Sequence, residues 1–341
     1  MSTDSGDTVD TAQPASQRAV VVLGVGRSGT SAITRGLGAL GVDLGNKLRS
    51  ATLLKNPTGF YEDTDLLRIN KRLKRILDVR GESVRLLEAD WWQQPAVEQL
   101  HTDAVQTIQR RFGDCPLWGY KYARTLRFMP FWVRVFAAAG IDARYLMAIR
   151  NPLSVARSRA RLDPWRGTQE QSDLEWLVNV VPYFREVRER PFVVVDFDLF
   201  MSDPAAQLGR VARGLDLPLG PETQAAIRAF GSEFLDPSLR HSRHGSDDLQ
   251  RDQRVNSLTR EAYRWMYRLA IDGADPRSLE IWREWQEIEH QLQAMEPVLR
   301  HIDRVADSLR FARWNPLGPL QSIPWLWHEL KRQWPAGGRR T

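Results

Sequence analysis

The hydrophobic pattern changes character twice along the chain. Residues 19–23 are a short β-branched run that stops at glycine, the signature of a buried strand. Residues 30–40 then place Ile33, Leu37 and Leu40 on one helical face, with Gly41 as the stop signal. A second helix is predicted over residues 63–77, where Leu66, Ile69, Leu73 and Ile76 align. Its last turns carry Lys71, Arg72, Lys74 and Arg75, which suit the negative end of the helix dipole. Strands predicted at 117–121, 143–149 and 192–195 alternate with helices at 128–139, from Asn151 onward and at 204–215. Such alternation argues for an α/β fold, three layers deep, with a central parallel sheet covered by helices on both faces.

After about residue 250 the strand signals stop. Ile281, Trp285, Ile288, Leu292, Met295, Leu299, Ile302 and Leu309 follow steps of four and three, broken only by Ala306. This is a heptad seam, with Pro297 placed to kink it. Two uses are open: a long helix packed on its own domain, or a homodimer through the C-terminal helices. The tail WNPLGPLQSIPWLWHELKRQWP mixes tryptophan with basic residues. It suits either a peripheral contact with the inner membrane face or an apolar strap over the domain, and its prolines oppose one continuous amphipathic helix. The expected organisation is a disordered tail over 1–18, an α/β domain over 19–250 and a helical C-terminal extension over 251–341.

Composition narrows the chemistry. The 341 residues carry 48 lysines and arginines against 42 acids, a net charge of +6 that favours an anionic ligand. The basic residues do not interleave with aromatics in a nucleic-acid motif, so no nucleic-acid partner is expected. The single cysteine, Cys115, excludes an intrachain disulfide and a multi-cysteine metal site. The N-terminus, MSTDSGDTVDTAQPASQR, lacks the basic start and apolar core of a signal peptide, and no apolar run is long enough to span a bilayer. A cytoplasmic location is expected.

The chemistry begins at residues 20–40, VVVLGVGRSGTSAITRGLGAL. A strand that ends in glycines and opens a helix is an anion site, because the first turn offers unpaired N–H groups and a partial positive charge. Ser28, Thr30 and Ser31 add hydroxyl donors, and Arg27 adds a planar donor fork. Gly24, Gly29 and Ser31 fit the Walker A pattern, but Thr30 stands where that pattern has lysine, which disfavours ATP or GTP hydrolysis. Gly24, Gly26 and Gly29 also fit the dinucleotide fingerprint, with Asp43 the nearest acidic partner. A second anchor reads LMAIRNPLSVARS, residues 146–158. There Arg150 ends a strand, Asn151 suits the N-cap and Pro152 the first helical position.

GVGRSGTS resembles the 5′-phosphosulfate loop of sulfotransferases that use 3′-phosphoadenosine 5′-phosphosulfate (PAPS). The segment from Arg150 to Ser158 resembles the same family's 3′-phosphate motif. Two further stretches, VVVDFDLFMSDPAAQLGRVARGLDLPL and FLDPSLRHSR, resemble segments of bacterial sulfotransferase domains. The resemblance spans roughly residues 19–245. It implies a P-loop-like fold, PAPS as co-substrate with PAP as product, and no metal. By the same resemblance Gly26, Arg27, Ser28, Gly29, Thr30 and Ser31 would hold the 5′-phosphosulfate, with Arg27 also stabilising the leaving group. Arg150 and Ser158 would hold the 3′-phosphate, and Arg240 and Arg243 would close over the nucleotide. Lys121, in GYKYAR, stands where relatives carry a lysine that touches the bridging oxygen. NPTGFYEDTD resembles a bacterial segment whose glutamate serves as base, which points to Glu62, with Asp63 as an N-cap.

The acceptor expected is a glycan, a glycolipid or a small molecule, with loops near 45–60 and 160–172 shaping its pocket and Trp165 available to stack on a sugar. Two rivals stay open: a P-loop-like nucleotide or sugar kinase, and a non-catalytic nucleotide-binding module.

Overall fold

The computed structural model describes residues 17–52, 59–234 and 245–314. Residues 1–16 of the expected N-terminal tail, the tryptophan-rich tail beyond Trp314, Arg240 and Arg243 lie outside the described residues, while Arg18, expected in that tail, opens the first strand.

Four strands form one sheet: β1 (Arg18–Leu23), β2 (Leu117–Lys121), β3 (Asp142–Ile149) and β4 (Phe192–Asp196). The order is β2-β1-β3-β4 and every pairing is parallel. Each predicted strand is present, to within a residue at either end. In β1 the pleat sends Ala19, Val21 and Leu23 into one core and Val20 and Val22 into another. Both faces are therefore buried, as an unbroken apolar run in a parallel sheet requires.

One face is covered by α1 (Thr30–Leu37) and, later in the chain, by α7 (Phe197–Ser202), α8 (Pro204–Gly214) and α9 (Pro221–Phe234). On the other face lie α2 (Thr64–Ile76), α3 (Pro95–Phe112), α4 (Met129–Ala138), α5 (Pro152–Ala160) and α6 (Gln169–Val180). The predicted stop at Gly41 is real: a short 3-10 turn, Gly38–Leu40, carries the chain to Gly41, which adopts φ 77°. Asp63, Asn151 and Asp203 all cap their helices through side-chain oxygens.

The last helices are α10 (Ser246–Arg251), α11 (Ser257–Ala270), α12 (Leu279–Ala294) and α13 (Glu296–Trp314). Pro297 does more than kink the seam. It sits in the first turn of α13, and Met295 ends α12. The seam positions Ile281, Trp285, Ile288, Leu292 and Leu299 are buried in the chain's own core, where Trp285 packs against Trp265 and Phe184. Over this stretch the heptad pattern is spent within one molecule, so the dimer reading has no free seam there; Leu309 alone of the pattern is strongly exposed, at 63%. The extension shares one continuous core with the α/β domain.

The topology locates the site. From β1 the chain leaves toward β2 on one side, and from β3 it leaves toward β4 on the other. The carboxyl ends of β1 and β3 thus flank the point where the winding reverses, which is where open α/β sheets bind ligands.

Candidate functional site

The loop after β1 is shaped by its backbone. Gly24 takes φ 137°, and a Cβ there would lie 2.6 Å from the Ala148 carbonyl of β3. Arg27 and Gly29 both adopt left-handed φ, at 78° and 79°, around Ser28. For arginine that region is sparsely populated, and strain of this kind gathers at functional sites. Gly29 caps α1 with no side-chain oxygen, and a Cβ on it would run into the Phe197 ring. No acidic side chain lies in the first turn of α1. The first turn of α1 therefore has no side-chain cap, and a Cβ on Gly26 would meet nothing within 4 Å. Ser28 Oγ is fully buried with no hydrogen-bond partner among the described residues. These features make a cradle suited to a phosphate or phosphosulfate oxygen. Thr30 is buried at the helix start, and Ser31 Oγ reaches the Phe60 carbonyl at 3.5 Å.

The second anchor closes on the first. Arg27 Nε donates to Ser158 Oγ at 2.9 Å, and Arg150 Nη1 points at the Arg27 carbonyl at 3.5 Å. Three residues from two distant motifs therefore form one cluster. Phe197 supports it, with the Arg150 guanidinium 4.6 Å from the ring centroid. Burial, and then the charges of Arg150 and Arg161, lower the pKa of Arg27. Burial likewise lowers that of Arg150, while Asp198 and Asp196 oppose it. Asp196 caps α7 through Asp198 N and Leu199 N and accepts from Tyr263 Oη at 3.0 Å. Burial pushes its carboxyl up to about 6.

A third group assembles at the end of β2, where Lys121 pairs in register with Val22. Lys121 Nζ contacts Glu62 Oε1 at 3.1 Å, and Arg49 Nη1 contacts Glu62 Oε2 at 3.1 Å. Both Glu62 and Lys121 are buried. Burial lowers the pKa of Lys121, and Glu62 works against that shift. Asp63 is taken by another job: its Oδ1 caps α2 and its Oδ2 accepts from Arg111 at 2.8 Å.

Beside Gly26 and Arg27 opens a cavity of about 180 Å³, walled by Arg124, Arg159, Arg166 and Glu175. Trp165, expected to stack on an acceptor, is exposed and does not line it. The sequence reading also passed over Arg49, Phe197 and the whole of α6. No motif marks Arg49. The α6 stretch QEQSDLEWLVNV hides Asp173 and Glu175 among its buried residues, which erases the amphipathic signal.

Residues 19–221 match the model of the sulfotransferase family, and the chain belongs to that family. No curated protein matches the chain. Among solved structures it is similar to the sulfotransferase STF9 from Mycobacterium avium, at 19% identity over 77% of this chain and 78% of that one, with a TM-score of 0.37. It is also similar to the sulfotransferase domain of the Synechococcus PCC 7002 olefin synthase, at 14% identity over 83% of this chain and 98% of that one, again with a TM-score of 0.37.

Proposed function

We propose that the protein moves a sulfuryl group from PAPS to a hydroxyl of a glycan, glycolipid or small-molecule acceptor and releases PAP. The observation that carries this reading is the meeting of Arg27, Ser158 and Arg150 at the switch point of the sheet, on a loop that has Thr30 where a nucleotide hydrolase needs lysine.

Bound PAPS would supply the sulfuryl group. The amides of Gly26, Gly29, Thr30 and Ser31, with the three hydroxyls, suit the 5′-phosphate oxygens, while the Ser28 amide is taken by the Val25 carbonyl at 3.2 Å. Arg150 and Ser158 suit the 3′-phosphate. Arg27, held by Ser158, places a fixed positive charge where the leaving oxygen gains charge, so it costs no reorganisation during the reaction. Glu62 accepts the proton of the acceptor hydroxyl as that oxygen bonds to sulfur. Lys121 and Arg49 hold the two oxygens of Glu62, which fixes the carboxylate before the acceptor arrives. Among the described residues no three acidic, histidine or cysteine side chains group as metal ligands, and no helix is long and apolar enough to cross a membrane.

Thermal unfolding with added ligand tests the reading. PAP at a hundred times its dissociation constant should add about 2.7 kcal/mol, without magnesium. Arg150→Ala should lose that gain. Stabilisation by ATP with magnesium alone would replace the sulfotransferase reading with a kinase.

A further inference from the structure

The cavity beside Arg27 is lined by Arg27, Arg124, Arg159 and Arg166 against two acids, Asp163 and Glu175. Glu175 is shared by Arg166, through bonds of 2.8 and 2.6 Å, and by Arg159 at 3.1 Å. Arg124 donates to the Gly81 carbonyl at 3.0 Å, and Arg166 donates to the same oxygen at 2.9 Å. No carboxylate of the described residues pairs with Arg124. Lys74, half-buried on α2, has none either, and its electrostatic neighbours are Arg124, Arg166, Arg127 and Lys71. Burial and those four cations bring its pKa down to about 8. Gathering such cations in and behind a part-buried wall is unfavourable unless an anion joins them. One polar atom in the wall also lacks a partner. Asn179 Nδ2 is bonded to the Glu175 carbonyl, while its Oδ1 is buried and unmatched among the described residues.

We propose that this cavity is an anion subsite of the acceptor site: Glu62 does not line it, so the reacting hydroxyl stays outside while the cavity, beside Arg27, holds a negative group of the same acceptor. Arg124 holds that group, and Lys74, behind the wall, adds to the field. A volume of about 180 Å³ equals roughly six waters of liquid, so only a small end of the acceptor enters. The location rests on the sulfotransferase reading, because it places the acceptor against Arg27. The preference for an anion rests on the cavity's own charges.

The test uses the full chain, with and without PAP, and two probes of equal size, D-glucuronate and D-glucose, titrated by calorimetry. Wild type should bind glucuronate about tenfold more tightly than glucose, the scale of one charge-assisted hydrogen bond. Lys74→Gln and Arg124→Gln should each cut that preference several-fold, Arg124→Lys should restore most of it, and PAP affinity should not change in any of them. Equal binding of the two probes by wild type overturns the proposal, as does a preference that survives in both glutamine variants. A charge preference in a protein that fails to bind PAP keeps the anion site and removes the sulfotransferase reading.

Discussion

The two sides of the site are built in different ways. The donor side, from Gly24 to Ser31 and from Arg150 to Ser158, is mostly backbone: left-handed turns, a helix N-terminus and an asparagine cap. The opposite side is made of side chains from separate segments. Glu62 meets Lys121 and Arg49, and Arg124 meets Arg166 at Gly81, which is brought there by a distant loop. A backbone cradle is specified by a few contiguous residues. A side-chain cluster depends on the relative placement of several elements, with Glu62 and Lys121 buried and Arg49, Arg124 and Arg166 half-buried around them.

This contrast can be broken most forcefully at Glu62. Glu62→Gln should lower turnover by about 10²- to 10⁴-fold with PAP affinity unchanged. It should also destabilise the fold by about 3–5 kcal/mol, because Lys121 is left buried without its carboxylate. Adding Lys121→Met should recover stability in denaturant titrations but not turnover. Recovery of both would remove Glu62 from the chemistry.

On the donor side the matching perturbation is Gly29→Ala. The new Cβ is forced into a left-handed backbone and against Phe197. A cost of about 2–4 kcal/mol is expected from the two effects together, and PAP binding should fall with it. Unchanged PAP affinity would show that the loop tolerates a different shape.

A smaller effect sharpens the contrast from the far end of the chain. Asp303 of α13 accepts from Val84 N at 2.8 Å and Arg85 N at 3.3 Å, and so braces the loop whose Gly81 carbonyl orients Arg124 and Arg166. Arg127 binds the Ser83 and Arg85 carbonyls of the same loop. Asp303→Ala should cost about 1–3 kcal/mol and weaken glucuronate binding while PAP binding persists. Equal loss of both would mean that α13 supports the whole domain and not one side of it.

The last effect is a pH slope. Asp173 accepts from Asn256 N and Gln169 Nε2, yet burial dominates and pushes its carboxyl up to about 7. Its unfolded value is about 3.9, so between there and about 7 the native state holds the proton and the unfolded state does not. Stability from this group is therefore full at the acid end of that window and declines as pH rises through it. Subtracting the melting profile of Asp173→Asn from that of wild type should expose the slope, and a flat difference would place the carboxyl back in its ordinary range.

The strands, the order of strand and helix, the caps at Asp63 and Asn151 and the anion loop were all legible in the chain itself. Each depends on neighbours within a few residues: a β-branched run, a glycine that tolerates positive φ, a side-chain oxygen two or three residues before the N–H that it caps. The two motifs of the donor side could also be read separately. Their union through Arg27 and Ser158 could not, since it needs β1 and β3 to lie side by side. The heptad seam was visible, but its partner was not: an apolar stripe has the same spacing whether it meets a second chain or its own domain, and only the packed core shows Trp285 and Leu299 turned inward. Arg49, Arg124, Glu175 and Asn179 carried no signal at all. A charged or amide side chain is written alike in a sequence whether water or a guanidinium surrounds it, and only the tertiary structure decides which.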